Sequence, residues 1–226
     1  MNNKSDKYIP AVSFNWLTPL YDPIIQLLFP EKAFRRCLIE QMRIEKGHRV
    51  LDIGCGTATL DILIKKGNPD ADVVGLDGDQ KILGIARAKI EKEGLDIILD
   101  KGMAFELPYP DNSFDRVVSS LVFHHLTREN KMRTFNEMFR VLKPGGELHA
   151  ADIGKPQNII MLIPSLILRF LEEASENIKG LLPDMFRSAG FTQAEETARF
   201  MTIIGTLSLY RAIKPHKNVG ISTVSS

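Results

Sequence analysis

The sequence predicts an α/β fold, a mostly parallel sheet with helices on both faces. Two observations carry this. Short apolar runs alternate with stretches in helical spacing between residues 49 and 153, and such alternation implies parallel strands joined by right-handed crossovers. The first run, Val50-Leu51-Asp52-Ile53, ends at Gly54-Cys55-Gly56, and a helical pattern follows over 57–66. A strand entering a glycine turn and then a helix aims backbone N–H groups at one point. It also lets a ligand approach the main chain, because glycine has no Cβ.

The elements follow in order. Residues 1–7 are polar, and 8–42 read as helices broken by Pro10, Pro19, Pro23 and Pro30, with Trp16, Tyr8 and Tyr21 in this stretch. Strand two is 72–77. A helix over 80–93 places Ile82, Leu83, Ala86 and Ile90 at helical spacing, and Gly94 closes it as a C-cap. A short strand is expected at 97–99, strand four at 114–121, and a helix at 129–141 with Met132, Phe135, Met138 and Phe139 on one face. Lys143-Pro144-Gly145-Gly146 reads as a turn before strand five, 147–153. From 156 to 170 the composition turns apolar with Pro164 in the middle, too short and too broken to span a bilayer. A helix over 176–189 and strands near 194–198 and 203–213 complete the chain, and the polar tail from Pro215 is expected to fray.

A chain of 226 residues suits one α/β domain with a sizeable core. The net charge of +1, from 29 basic and 28 acidic residues, argues against an electrostatic grip on nucleic acid. Two cysteines, Cys37 and Cys55, argue against a disulfide scaffold and fit a reducing cytoplasm. No signal peptide is expected from the N-terminal composition, and no transmembrane segment, which leaves peripheral membrane contact open.

The site is readable in outline. Strand two ends in Asp77, 21 residues after Gly56, matching the roughly 20-residue offset at which a carboxylate meets a ribose hydroxyl in nucleoside-binding folds. Thr59 stands where a dinucleotide fingerprint has its third glycine, and Asp52 lies inside the strand. Together these point to a nucleoside site and away from NAD.

Val50-Leu51-Asp52-Ile53-Gly54-Cys55-Gly56-Thr57 resembles the first motif of class I S-adenosylmethionine-dependent methyltransferases. Leu107-Pro108-Tyr109-Pro110-Asp111-Asn112-Ser113-Phe114-Asp115, Phe123-His124-His125-Leu126 and Leu142-Lys143-Pro144-Gly145-Gly146 resemble three further segments of that family, in the same order. Trp16 to Asp22 resembles the entry segment of the ubiquinone/menaquinone C-methyltransferase branch. The resemblance implies a Rossmann-like seven-stranded sheet with an antiparallel C-terminal edge hairpin. It implies an N-terminal helical cap at 1–44, a catalytic domain at 45–214 with a lid or insert at about 155–180, and a flexible tail at 215–226.

The same resemblance implies S-adenosyl-L-methionine as cofactor, S-adenosyl-L-homocysteine as product, and a small apolar or aromatic acceptor methylated at carbon, oxygen or nitrogen. Gly54, Cys55 and Gly56 are expected beside the methionine and ribose, Asp77 on the ribose hydroxyls, Gly78 and Ile82 along the ribose and adenine, and Met103 and Ala104 beside the adenine ring. Asp52 is expected to hold the cofactor's ammonium group or to fix the glycine turn, and Tyr21 to cover the cofactor or simply to pack the cap. Arg35 and Arg36 could reach the cofactor's carboxylate, with at least one of them on a solvated face. Ser119, Ser120 and Leu121 should line the methionine side at the carboxyl edge of the sheet. His124 or His125, at most one of which should face the methyl group, is a candidate general base. No metal site is expected, since no further ligand has convincing spacing.

Two departures from the family pattern matter. Met103 replaces an acid that commonly bonds the adenine amino group, and Ala58 stands where the family often has glycine. They keep open a non-catalytic, cofactor-binding pseudo-methyltransferase, beside the weaker alternative of an NAD-dependent oxidoreductase. Monomer and homodimer are both compatible with the sequence.

Overall fold

The computed structural model describes residues 31–156, 175–202 and 205–216. Among these, α1 is Glu31–Met42, β1 Arg49–Ile53, α2 Thr59–Gly67, β2 Asp72–Asp77, α3 Gln80–Glu93, β3 Ile98–Lys101, β4 Phe114–Ser120, α4 Arg128–Val141, β5 Leu142–Ile153, α5 Ser175–Ile178, α6 Leu182–Ser188, β6 Thr192–Thr202 and β7 Gly205–Ile213. The strands form one seven-stranded sheet in the order β3-β2-β1-β4-β5-β7-β6. The first five are parallel, and β7 lies antiparallel between β5 and β6. This is the expected fold, C-terminal hairpin included. Tyr21, Trp16, the apolar segment over 157–170 and the tail beyond 216 lie outside the described residues.

Two apolar layers hold the sheet. On one side Phe34, Leu38 and Met42 of α1 and Leu60 and Ile64 of α2 pack with Val50, Val118, Ala151 and Leu209. On the other, Phe135 and Met138 of α4 and Met185 and Phe186 of α6 pack with Leu51, Val117, Leu148 and Tyr210. Strands buried on both faces read as continuous apolar runs, so β1 and β4 were legible by composition rather than by alternation.

Local chemistry sets the ends. Asp79 caps α3 by accepting from the Lys81 N–H, and Gly94 closes it at φ 64°. The Thr127 hydroxyl accepts from the Asn130 N–H, so α4 begins at Arg128. The Arg116 guanidinium donates to the Met42 carbonyl at 2.6 Å, satisfying the end of α1 from the sheet.

Several boundaries differ from expectation. The helix predicted from 57 starts at Thr59, because Ala58 precedes it in a left-handed conformation. The third strand is 98–101, and the fourth ends at Ser120. The Lys143–Gly146 turn lies inside a longer β5. Phe114 pairs Leu142 while Arg116 pairs Glu147, so the chain bulges there, with Gly145 at φ 80°. The helix predicted over 176–189 is two short helices. Gly180, at φ 73°, breaks the first, and a proline in the first turn starts the second. The first hairpin strand is longer than expected, since β6 keeps pairing with β7 through two irregularities.

Phe135 is fully buried, with ring centroids 4.9 Å from Phe123 and 4.7 Å from Phe186. Phe135→Ala should therefore lower unfolding stability by about 3–5 kcal/mol, as for other large buried truncations, read from the urea midpoint at unchanged slope.

Candidate active site

The carboxyl ends of β1, β2, β4 and β5 meet along one edge of the sheet, where open α/β folds bind their ligands. The glycine turn after β1 is locked to the end of β2. The N–H groups of Gly54 and Cys55 both donate to the Leu76 carbonyl, at 2.7 and 3.1 Å, and the Gly56 N–H donates to Asp77 Oδ2 at 3.0 Å. These three donors thus hold the turn itself, where the sequence suggested they would converge on a ligand.

The two glycines serve different ends. A Cβ on Gly54 would fall 2.3 Å from Val122 Cγ2, so this glycine admits the loop after β4. A Cβ on Gly56, at φ 56°, would meet nothing within 4 Å, so the open face of the turn lies there. Asp77 stands beside that opening. Its Oδ1 accepts the Asp79 N–H and its Oδ2 the Gly56 N–H, which leaves acceptor capacity on both oxygens. Burial, partly offset by these N–H groups, raises its carboxyl above the ordinary value. Gly78 and Ile82 follow at the same rim, both half-buried.

Ala58 occupies the left-handed conformation at φ 58° that suits the glycine common in the family. The strain of about 1 kcal/mol is set against burial of its methyl group with Ile62, Ala86 and Ile90, worth about 0.8 kcal/mol. The departure is therefore near balance and leaves the turn intact. Met103 pairs with Glu106 in an isolated bridge, its carbonyl accepting the Glu106 N–H at 3.1 Å. Met103 and Ala104 are half-buried.

The sequence-predicted residues of β4 divide. Ser119 is buried and donates to the Ile53 carbonyl at 2.8 Å, so it ties β4 to β1 rather than lining the crevice. Ser120 and Leu121 are half-buried at the edge, and Leu121 holds φ 61° while its N–H donates to the Ala151 carbonyl. Arg36 is exposed and paired with Glu40, whereas Arg35 faces the buried carboxyls of Asp52 and Asp61.

Beyond Leu121, Phe123–His125 form a single 3₁₀ turn, and it organises the second half of the site. Asp152, at the end of β5 and 1% exposed, accepts at both oxygens. Oδ2 takes the Phe123 N–H at 2.7 Å. Oδ1 takes the Ile153 N–H at 2.7 Å and the Asn177 amide at 3.0 Å, and lies 2.8 Å from His124 Nδ1. Burial alone would raise this carboxyl. The His124 imidazole and the backbone donors outweigh it and hold Asp152 below the ordinary carboxylate range. A carboxylate on Nδ1 fixes the imidazole so that Nε2 is left for chemistry.

His125 stacks on His124, with ring centroids 4.0 Å apart and planes tilted by 42°. The two rings thus share one locale, although neighbouring side chains on a regular element diverge. Burial, then the charge on His124, lower the His125 pKa to about 4, against the pull of Asp152.

Sequence reasoning missed Asp152, Asn177 and Asp61. An acid closing a predicted strand was the signal available for Asp152, the same one that singled out Asp77. Nothing in the pattern marks Asn177, which arrives from α5.

Fold and site together define a nucleoside-binding α/β protein with a histidine–aspartate pair beside the nucleoside crevice. The residues fit S-adenosylmethionine, since the open face of Gly56 and the spare acceptors of Asp77 suit a ribose. Residues 50–146 match a family described as a methyltransferase domain. The demethylmenaquinone methyltransferase of Listeria welshimeri is 31% identical over 205 residues, covering 79% of this chain and 86% of the relative. A SAM-dependent methyltransferase from Aquifex aeolicus shares the fold with a TM-score of 0.64 at 19% identity, covering 92% of this chain and 99% of that one. Phosphoethanolamine N-methyltransferase 2 of Haemonchus contortus, solved with S-adenosyl-L-methionine, has a TM-score of 0.67 at 18% identity, over 81% of this chain and 53% of that one.

The chain belongs to the class I S-adenosylmethionine-dependent methyltransferases, in the branch of the menaquinone and ubiquinone C-methyltransferases. It is an enzyme whose methyl donor is S-adenosylmethionine, and the oxidoreductase and pseudo-methyltransferase alternatives are not favoured. Among the described residues, no helix is long and apolar enough to cross a membrane.

The depressed His125 pKa has a stability consequence. The folded protein resists protonating His125 until about pH 4, while the unfolded chain protonates it near its ordinary 6.5. Stability from this group is present above pH 6.5 and lost as pH falls toward 4. Between those values wild type should lose about 3 kcal/mol more than His125→Gln, measured by urea unfolding across pH.

Proposed function

We propose that this enzyme methylates a ring carbon of a reduced, quinone-like acceptor, with His124 as general base and Asp152 as its positioning residue. The observation that carries the reading is the 2.8 Å contact from His124 Nδ1 to a buried, ionised Asp152 at the same sheet edge as Gly56 and Asp77. The demethylmenaquinone relatives support the acceptor class.

When bound, S-adenosylmethionine supplies a methyl group already activated by its sulfonium, so the protein's task is placement and proton removal. Gly56 admits the ribose and Asp77 accepts its hydroxyls, with Gly78 and Ile82 beside them. Gly54 and Cys55 shape the turn at the methionine side, where Asp52 holds the ammonium group and Ser120 and Leu121 complete the wall. Met103 and Ala104 pack on the adenine, the polarizable thioether serving where an acid is absent. Placement near ~3 Å and in line supplies much of the barrier reduction.

His124 Nε2 takes the proton of an acceptor hydroxyl. The resulting phenolate pushes electron density onto the neighbouring ring carbon, which bonds the methyl carbon as the sulfur–methyl bond breaks. The ring proton then passes to solvent, which restores aromaticity, and the ring oxygen recovers its proton from the His124 imidazolium. Asp152 remains ionised and stabilises the imidazolium. His125, neutral at working pH, packs against His124 without competing for the proton.

The remaining assignments follow the same reading. Residues 45–214 form the catalytic domain, while most of the cap expected over 1–44, Tyr21 included, and most of the lid expected at about 155–180 lie outside the described residues. The balanced charge and two free cysteines support a cytoplasmic enzyme of a small molecule rather than of nucleic acid.

Asp77→Ala should weaken S-adenosylmethionine binding by roughly 10- to 100-fold in calorimetric titration, the loss of one or two charged hydrogen bonds; unchanged affinity would remove Asp77 from the site. His124→Gln should cut turnover with a demethylated naphthoquinol by about 10²- to 10⁴-fold while cofactor affinity stays within twofold. Turnover equal to wild type would mean that His124 takes no proton.

A further inference from the structure

We propose that Asp61 is a positioning residue for Asp52: the two form a proton-sharing pair beneath the glycine turn, and a cationic ligand group seated against Asp52 expels one proton on binding. The identity of that ligand, the ammonium end of S-adenosylmethionine, rests on the reading above.

The geometry is that of two sealed acids. Asp52, one residue before the end of β1, is 2% exposed, and Asp61, in the first turn of α2, is fully buried. β1 pairs Asp52 with Gly75 of β2, the residue against which Asp61 packs, so the two side chains lie together beneath the turn. Among the described residues, no hydrogen-bond donor reaches Asp52 Oδ1 or either oxygen of Asp61. Two acids sealed together without donors cannot both stay ionised, so the pair holds at least one proton.

The seal extends to β2. A Cβ on Gly75 would lie 3.0 Å from Asp61 Oδ2 and 3.0 Å from Cys55 Sγ, so the acid is pressed between the turn and the strand.

The charges facing the pair from each packed element are Arg35 of α1, Asp77 of β2 and the Cys55 thiol of the turn. Burial, then Asp52, lift Asp61 well above the ordinary range; Arg35 works the other way without prevailing. Asp52 is pushed up to about 7, by burial first and against the pull of Arg35. Asp61 therefore keeps its proton while Asp52 exchanges one near neutrality. A cation arriving at Asp52 favours its charged form: the O–H bond breaks, the carboxylate pairs with the cation, and the proton passes to buffer. Affinity must then rise with pH up to about 7 and level off above it.

The test is calorimetric titration with S-adenosylmethionine at pH 6, 7 and 8, each in two buffers of different ionisation enthalpy, on wild type and Asp61→Asn. The asparagine keeps a donor to Asp52 but removes the second acid. Wild type should release up to one proton at pH 6 and bind up to about tenfold more weakly there than at pH 7. Asp61→Asn should release fewer protons and bind more tightly than wild type at pH 6. The ligand's own ionisation cancels in that difference.

Equal proton release and equal pH dependence in the two proteins would overturn the role of Asp61. Independently of any variant or ligand, the side-chain ¹³C shifts of Asp52 and Asp61 followed against pH in the free enzyme should show Asp61 protonated at pH 7, and ordinary carboxylate titration of both would overturn the pair. Absence of binding at every pH would instead sink the methyltransferase reading and the ligand-driven release with it, a result distinct from failure of the pair.

Discussion

The join between β1 and β2 is the constraint on which the site depends. One carbonyl, that of Leu76, accepts two consecutive N–H groups of the glycine turn, and the next residue, Asp77, accepts a third through its side chain. The end of β2 therefore determines where the turn sits, and the turn determines where α2 begins. The open face at Gly56, the spare lone pairs of Asp77 and the burial of Asp61 under the turn all follow from that junction. A shift in the β1–β2 register would displace them together, which is why both strands are buried on both faces and leave little room to slip.

The central fold was legible because parallel strands and amphipathic helices write their periods directly into composition. The limits of β2 and α3 could be read from the sequence, since Asp79 and Gly94 are strong local caps. Legibility failed where conformation depends on neighbours distant in sequence. The Lys143–Gly146 bulge is tied to Asp115 by the Lys143 ammonium, at 2.9 and 2.8 Å to the two oxygens, a pairing across β4 and β5 that no local pattern reports. The broken helix near Gly180 is a case in which glycine and proline were visible but their weight against the apolar pattern was not.

The site was legible to a similar depth. Gly56 and Asp77 stood out because a nucleoside needs a close backbone approach and an acid at a fixed offset. Ser119 was grouped with Ser120 and Leu121 by its place near the end of β4, and no local pattern reports that its hydroxyl bonds back to the Ile53 carbonyl of β1. The histidines were recognised as chemically apt, but nothing local distinguished them. Asp152 does so, 28 residues from His124 and 29 from Phe123, by accepting from both the ring and the backbone of one turn. A single carboxylate thereby orients the imidazole and anchors the peptide that carries it.

Asp52 and Asp152 show how the fold gives one side chain two behaviours. Both stand one residue before the end of a central strand, and both are almost without exposure. Burial pushes each toward the neutral acid. Around Asp152 two backbone N–H groups, an amide and an imidazole supply donors, and the carboxyl stays ionised. Around Asp52 the neighbours include two more acids, and one of its oxygens has no donor, so it holds its proton to about pH 7. An ionised acid suits the support of an imidazolium, because its charge must already be in place when the proton arrives. An acid that exchanges its proton near neutrality suits a pocket that is cationic only when filled. It avoids an uncompensated buried charge in the free enzyme and provides one when the ligand brings its own.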